Sequence, residues 1–370
     1  MGQALSARPR ATMSSRQAAL LGVLASSWSW LFLLAMLAFF AVLGQNFLSI
    51  RNISTILVSS TLVMLMAIGQ TYVIITAGID LSIGWTVGLT SVVAARVMRD
   101  VTAEPAVAIS LGIIVGLLVA LIPGLINGVL IARVRIPPFI TTLGMFGIIR
   151  GAAFLLTDGQ NVVGNIPASV RESLRAVGNG SLLYYTPDIG FTWFSQPADI
   201  TSETLRTVQR VLPYPVLIVA VIVLIFAFVL ARTQFGRHTY AIGGNADAAR
   251  RAGIRVNRNL VFIYMISALT AGFAGIMHVF RFTAGGPQVG DPALLDSVAA
   301  VVIGGTSLFG GEGRLSGTVV GALIIAVLDT GLVNLGVDAL WKFIIVGMVI
   351  IVAVLFNQVQ AYIQRQRAHT

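Results

Sequence analysis

Three charged residues stand inside long apolar runs, where a charge is costly and calls for a reason. Asp80 lies in "TAGIDLSIGW", Arg150 in "GMFGIIRGAA" and Asp329 in "IIAVLDTGLV". Gln70, Asn127 and Asn334 are uncharged polar residues in similar surroundings. Few charges with several amide and hydroxyl groups suit the passage of a neutral, sugar-sized solute. These six residues are therefore the candidate lining of a translocation path. A structural reading stands beside the functional one. Asp80 can cap the helix that follows it, since a carboxylate at a helix N-terminus accepts from free backbone amides. Arg150 can pair with a carboxylate for packing or sit near an interface, and Asp329 can likewise be structural.

Chemistry of other kinds is missing from the residues. The chain has no cysteine, which removes disulfides, thiolate zinc sites and cysteine nucleophiles. No H-E-x-x-H, G-x-S-x-G, kinase-like set or paired metal-ligand spacing occurs. The glycine-rich stretch "GGTSLFGGEGRLSG" at 304–317 comes nearest to a phosphate loop. A Walker loop needs Lys and then Ser or Thr after its second glycine. Here Gly310 is followed by Gly311 and Glu312, so the stretch reads as a bend between two helices. No catalytic residue, metal or cofactor is expected on this chain. If it moves solute uphill with ATP, another chain hydrolyses the nucleotide.

The segment "RHTYAIGGNADAARRAGIRV" at 237–256 is different again: short, basic and rich in alanine. Gly243 and Gly244 are expected to break the chain. Asn245 is a good N-cap, Asp247 suits the first turn, and Arg250 and Arg251 suit the last. Gly253 suits a left-handed stop. The spacing predicts a helix over 246–252, too short to be stable alone and hence built to pack on something. Ala246, Ala248, Ala249 and Ala252 give it a slim body. A plain basic loop would explain the arginines but not the matched cap, stop and alanines.

The elements that must position these groups are membrane helices. Of 370 residues, 56% are hydrophobic and 10% charged, against about 25% charged in soluble domains. With roughly 20 apolar residues per crossing, spans fall near 28–47, 55–77, 82–98, 106–132, 138–156, 212–231, 259–280, 297–309, 315–335 and 339–356. The expected fold is an all-α polytopic membrane protein of about ten spans, with eight or nine if a weak segment is re-entrant. The first run follows Arg8, Arg10 and Arg16 but is long for a signal peptide and lacks a small-residue cleavage site, so it is read as a retained span. The +10 charge is scattered between apolar runs, which speaks for membrane orientation and against nucleic acid. With the N-terminus inside, 14 of 24 cations fall on the cytoplasmic side, giving cytoplasmic tails at 1–27 and 357–370 around a permease domain at 28–356. The 157–211 segment becomes an external loop, with "IPASVRESLRAV" as an amphipathic helix, and 232–258 a cytoplasmic loop.

Small-xxx-small pairs at Gly84/Gly88, Gly112/Gly116, Gly124/Gly128, Gly147/Gly151 and Gly317/Gly321 predict close helix contacts in lipid. Glycine and Pro123 also permit breaks and shifts of helices. "GLIN" at 124–127 echoes "GLVN" at 331–334, five spans apart. An odd offset would make this an inverted repeat, a device of transporters.

Taken in order, "GIDLSIG" (78–84), "NGVLIARVRIPPFITTLGMFGIIRGAAFLLTDGQ" (127–160), "RTQFGRHTYAIGGNADAARRAGIRV" (232–256) and "AAVVIGGTSLFGGEGRLSGTVVGAL" (299–323) resemble the permease subunit of bacterial ribose/xylose/galactoside-type ABC sugar importers. The resemblance covers nearly the whole chain from about residue 50. It implies a bacterial inner-membrane protein that works with an ABC ATP-binding subunit, a periplasmic sugar-binding protein and a second permease copy. ATP and Mg would sit on the partner ATPase. Within the 237–256 loop it implies ATPase coupling through Tyr240, Gly243, Gly244, Asn245, Asp247, Ala248, Ala249, Arg250 and Gly253. Asp80 falls on the family's G-I-D-L-S motif, which adds to its functional weight. Asp329 and Thr330 stand where the family often has two Asn, which puts a shared role there in doubt. The long 157–211 loop leans the substrate toward a pentose. A stand-alone secondary transporter or channel for a small polar solute is the other reading.

Overall fold

A computed structural model of the chain describes residues 15–160, 163–194, 207–338, 340–349, 351–352 and 355. Arg8, Arg10, Asp199, Glu203, Arg206, Arg365 and Arg367, with most of both tails, lie outside these residues. The first half runs α1 (Ser15–Leu43), α2 (Ile50–Ile75), α3 (Ile83–Asp100), α4 (Pro105–Val129) and α5 (Pro138–Leu155). A π-turn (Leu130–Val134) prolongs α4. After a small α/β insertion come α7 (Tyr214–Arg232), α8 (Gln234–Gly244), α9 (Ala246–Arg251), α10 (Val256–Phe282), α11 (Asp291–Ile303) and α12 (Leu315–Asn334). A last apolar helix, α13, spans Leu340–Val349. Prolines open α4, α5 and α7, where a missing N–H costs nothing.

The chain is a polytopic, predominantly helical membrane protein. Six helices are long and apolar enough to cross a bilayer by themselves: Ile50–Ile75, Pro105–Val134, Pro138–Leu155, Tyr214–Arg232, Val256–Phe282 and Leu315–Asn334. The apolar stretch of α2 is 67% buried and that of α7 only 17%, so α2 is central and α7 peripheral. Large side chains such as Leu65, Met66, Ile68 and Ile74 fill the centre around α2 and α10.

Two expectations shift. The span predicted at 297–309 is a helix at Asp291–Ile303, because Pro292 suits its first turn and Gly305, at φ 89°, ends it. The 157–211 segment is not purely helical. It holds the expected amphipathic helix as α6 (Ala168–Gly178), then β1 (Leu183–Thr186), β2 (Gly190–Trp193) and β3 (Gln209–Arg210) in the antiparallel order β2-β1-β3. Val170 and Leu174 of α6 pack with Val92, Ala95 and Val279, so the insertion covers the ends of α3 and α10.

Two stretches of irregular backbone pack among the long apolar helices. After α2 the chain turns at Ala77, φ 59°, and comes back beside its own helix. The Gln70 amide donates to the Asp80 carbonyl at 2.6 Å. Gln70 lies five residues before the end of α2, so Asp80 is held about 8 Å inside that end. The second stretch, 283–290, lies along α3. Ser91 Oγ donates to the Gly286 carbonyl and accepts from its amide, both at 3.0 Å. Non-helical backbone survives in a membrane only when buried partners satisfy it, as here. A Cβ on Gly88 would lie 1.8 Å from the Pro287 carbonyl oxygen, so no side chain fits there.

Four of the five small-xxx-small pairs meet a neighbour as expected. Gly84/Gly88 face 287–290, Gly112/Gly116 face α3, Gly124/Gly128 face α10, and Gly317/Gly321 face α11. Gly147 and Gly151 of α5 have nothing within 4 Å.

Candidate functional site

Three of the six polar candidates converge. Asp80 is 2% exposed and its carboxylate is fully engaged. Oδ1 accepts from the Ser82 amide at 2.9 Å and the Ser82 hydroxyl at 2.6 Å, and Oδ2 accepts from the Ser267 hydroxyl at 2.7 Å. Asn127 Nδ2 donates to Ser82 Oγ at 2.9 Å, and Thr142 Oγ1 donates to the Ile79 carbonyl at 3.0 Å. Gln70, Asn127, Thr142 and Ser267 thereby tie α2, α4, α5 and α10 to the broken link. The Asp80 carboxylate accepts from the amide of Ser82, the residue just ahead of α3. Its donors are amides and hydroxyls with no cation among them. Asn127 Oδ1 and the Tyr264 hydroxyl, both buried, have no protein partner.

The other three candidates lie apart. Arg150 is exposed on α5, its guanidinium 5.3 Å from the centroid of the Trp85 ring. Trp85 is 2% exposed and its Nε1 has no protein partner. Asn334 is exposed and donates to the Gln45 carbonyl at 3.2 Å, joining α12 to the α1–α2 link. Asp329 belongs to a charge cluster: Lys342 Nζ lies 2.8 Å from Asp329 Oδ2 and 2.8 Å from Asp296 Oδ2. This cluster joins α11, α12 and α13. Nothing in the local sequence marks Asp296, and Lys342 falls within the predicted span 339–356. The available signal was the single lysine of the chain, in the apolar run "WKFIIVGMVI".

The 237–256 segment folds as its residues dictate, with one change. Asn245 Oδ1 accepts from the Ala248 amide at 2.8 Å, α9 covers 246–251, and Gly253 has φ 83°. Arg250 lies 3.3 Å from Asp247. Gly243 and Gly244, however, do not break the chain; they are the last turn of α8. The role of Gly243 is close contact. A Cβ on Gly243 would lie 1.8 Å from the Ile75 carbonyl oxygen and 2.6 Å from the Gly311 amide nitrogen. Gly311 itself donates to the Ile75 carbonyl at 2.8 Å. The Tyr240 hydroxyl donates to the Gly313 carbonyl at 2.7 Å, and burial pushes its pKa up, so it remains a donor at neutral pH. The glycine-rich 304–317 stretch is the predicted bend, and it is the seat of α8. Of the α9 alanines only Ala249 is buried, with Ile242 and Val256; Ala246, Asp247, Ala248 and Arg250 face outward.

Among the described residues no group of three His, Asp or Glu side chains is placed to hold a metal ion.

Residues 52–354 match the family model of the branched-chain amino acid transport system / permease component. The chain is 35% identical over 328 residues to the ribose import permease protein RbsC of Escherichia coli (strain K12), covering 88% of this chain and 91% of that one. It is 36% identical to the fructose import permease protein FrcC of Rhizobium meliloti, covering 88% and 82%. It is 35% identical to the xylose transport system permease protein XylH of Haemophilus influenzae (strain ATCC 51907 / DSM 11121 / KW20 / Rd), covering 86% and 92%. No solved structure gives a significant match.

Proposed function

The chain belongs to the family of transport-system permease components, and on that premise we propose that it is the transmembrane subunit of an ATP-driven ABC importer for a monosaccharide. The relatives named for ribose, xylose and fructose support a sugar over an amino acid. A pentose is preferred, in line with the ribose and xylose relatives.

The observation that carries the reading is the seating of α8–α9. Gly243 sits on the Ile75 carbonyl at the end of α2, while the outer face of α9 is uncovered. An element anchored on one side and bare on the other is what a docking partner needs. Ile75 is five residues from Asp80 and its buried network, so a push on α8 reaches the broken link directly. The partner is a separate ATP-binding subunit, which carries ATP and Mg. A periplasmic sugar-binding protein delivers the solute, and a second copy of the permease completes the path.

In this reading the protein lies in the bacterial inner membrane with both tails cytoplasmic. The chain crosses ten times, with α3 and α11 as the short members that follow the two broken stretches. The matching positions of those stretches, after α2 and after α10, favour the inverted repeat. Gln70, Asp80 and Asn127 line the moving centre. Arg150, exposed on α5 beside the bare Gly147/Gly151 face, points toward the second copy.

The test is reconstitution in proteoliposomes with the ATPase and binding protein encoded beside this gene. Uptake of labelled ribose, xylose or fructose should require ATP and survive collapse of ion gradients. Gly243→Leu should abolish stimulation of the ATPase by the binding protein while membrane insertion remains normal. Uptake by the purified chain alone, driven by an ion gradient, overturns the proposal in favour of a secondary transporter.

A further inference from the structure

Arg133 in the π-turn after α4, Arg250 at the end of α9, and Arg255 and Arg258 at the start of α10 border one cleft of about 560 Å³. Two separate stretches of chain, at 133 and 250–258, supply these cations, and no Asp or Glu lines the cleft. All four arginines are exposed. Arg250 is partly engaged by Asp247 at 3.3 Å. Among the described residues the other three have no ion-pair partner. A basic inside loop accounts for arginines near the membrane, but not for their convergence on one concavity.

The cleft has a second feature of the same sign. The 27-residue helix α10 begins there without a side-chain cap, and Asn257 and Arg258 of its first turn line the wall. Free amides and the positive end of the helix dipole favour an anion. Guanidinium forks match the paired oxygens of a phosphate.

The walls identify the source of the anion. Both α4 and α10 are long and apolar enough to cross the membrane, so the cleft lies where two spans end. Phe262, one turn further along α10, is 41% exposed, and the Arg258 guanidinium is 5.5 Å from its ring centroid. Cationic mouth and apolar wall follow each other along one helix, the order of a phospholipid headgroup and its acyl chains.

We infer that this cleft is a binding site for the phosphate headgroup of an anionic phospholipid, held by Arg133, Arg255 and Arg258. Basic pockets between membrane helices are suited to such headgroups, and each arginine is worth about fivefold in affinity.

The test uses the full chain alone, in nanodiscs of mixed phosphatidylglycerol and phosphatidylcholine. Lipids retained on extraction are counted by native mass spectrometry. Phosphatidylglycerol should be retained in preference to phosphatidylcholine by about a hundredfold at low salt, and the preference should shrink as salt is raised. Arg133→Gln with Arg258→Gln should bring it close to parity, whereas Arg171→Gln with Arg175→Gln on α6 should not change it. A flat salt response in the unaltered chain overturns the site without recourse to any variant. So does an undiminished preference in the Arg133/Arg258 variant. Displacement of the lipid by millimolar inorganic phosphate reassigns the cleft to soluble anions. Loss of ATPase-subunit capture with normal lipid retention reassigns it to a protein partner, and both results refute the lipid site. Because no ATPase is present in the main arms, these outcomes stand apart from failure of the importer reading.

Discussion

Asp80 and Asp296 are equally withdrawn from solvent, at 2% and 4% exposure, yet their surroundings differ in kind. Asp80 is surrounded by hydroxyls and amides, most of them from Ser82 two residues away. Asp296 faces a full charge, the Lys342 ammonium, which it shares with Asp329. The first arrangement is mostly local and holds one irregular turn in shape while four helices lean on it. The second is long-range and clamps three helices together. Hydroxyl donors can be replaced one at a time as helices shift. An ion pair surrounded by apolar residues cannot open without leaving a bare charge, which is far more costly. We therefore regard the Asp80 region as the adjustable part of the bundle and the Lys342 region as its fixed part.

The largest effect should come from the clamp. Lys342→Met strands the buried Asp296 carboxylate and removes the partner of the partly exposed Asp329, and should cost about 3–5 kcal/mol. Thermal unfolding in detergent would show it as a pronounced drop in midpoint. Adding Asp296→Asn and Asp329→Asn should restore most of the loss, since a neutral trio has no stranded charge. If Lys342→Met proves mild, the two regions do not differ as argued.

Ser267→Ala should have an intermediate effect. It removes the Ser267 hydroxyl that donates to Asp80 Oδ2, at a cost of about 1–3 kcal/mol. Transport in the reconstituted system sharpens the comparison. Ser267→Ala should alter sugar uptake more than its stability loss accounts for, whereas the neutral Lys342/Asp296/Asp329 triple variant should leave uptake per folded protein nearly unchanged.

These two regions were also unequally legible in the sequence. Asp80 stood out because it is a charge inside an apolar run, placed where a carboxylate can cap the helix that follows. Asn245 and Gly253 were legible for the same reason: cap and stop are decided within a few residues. Asp296 pairs with Lys342 across 46 residues, and no local rule selects that partner. The same limit explains Gly243. Its residue type suggested a break, whereas its actual constraint is the Ile75 carbonyl, far away in the chain. Six of the expected spans were legible from apolar content, but not the return of 76–82 alongside α2, because it depends on Gln70 meeting Asp80.

An exposed carboxylate supplies the control that decides whether burial, rather than charge, sets these magnitudes. Asp100 ends α3 and bonds to Arg99 at 2.7 and 3.2 Å, with side-chain exposures of 55% and 33%. The Arg99 hydrogen bond holds the Asp100 carboxyl below the usual carboxylate range, slightly opposed by desolvation. A lowered folded-state pKa means stability that is present above the unfolded value and is lost as pH falls through the folded one. Any contribution therefore vanishes only in acid, below the ordinary carboxylate range. The partners are neighbours in sequence, so part of the attraction persists in the unfolded chain and cancels. Asp100→Asn should then cost less than about 1 kcal/mol and shift unfolding midpoints equally little at pH 7 and pH 5. A loss as large as that of Ser267→Ala would mean that charge pairing matters regardless of depth, and the contrast between the Asp80 and Lys342 regions would need another cause.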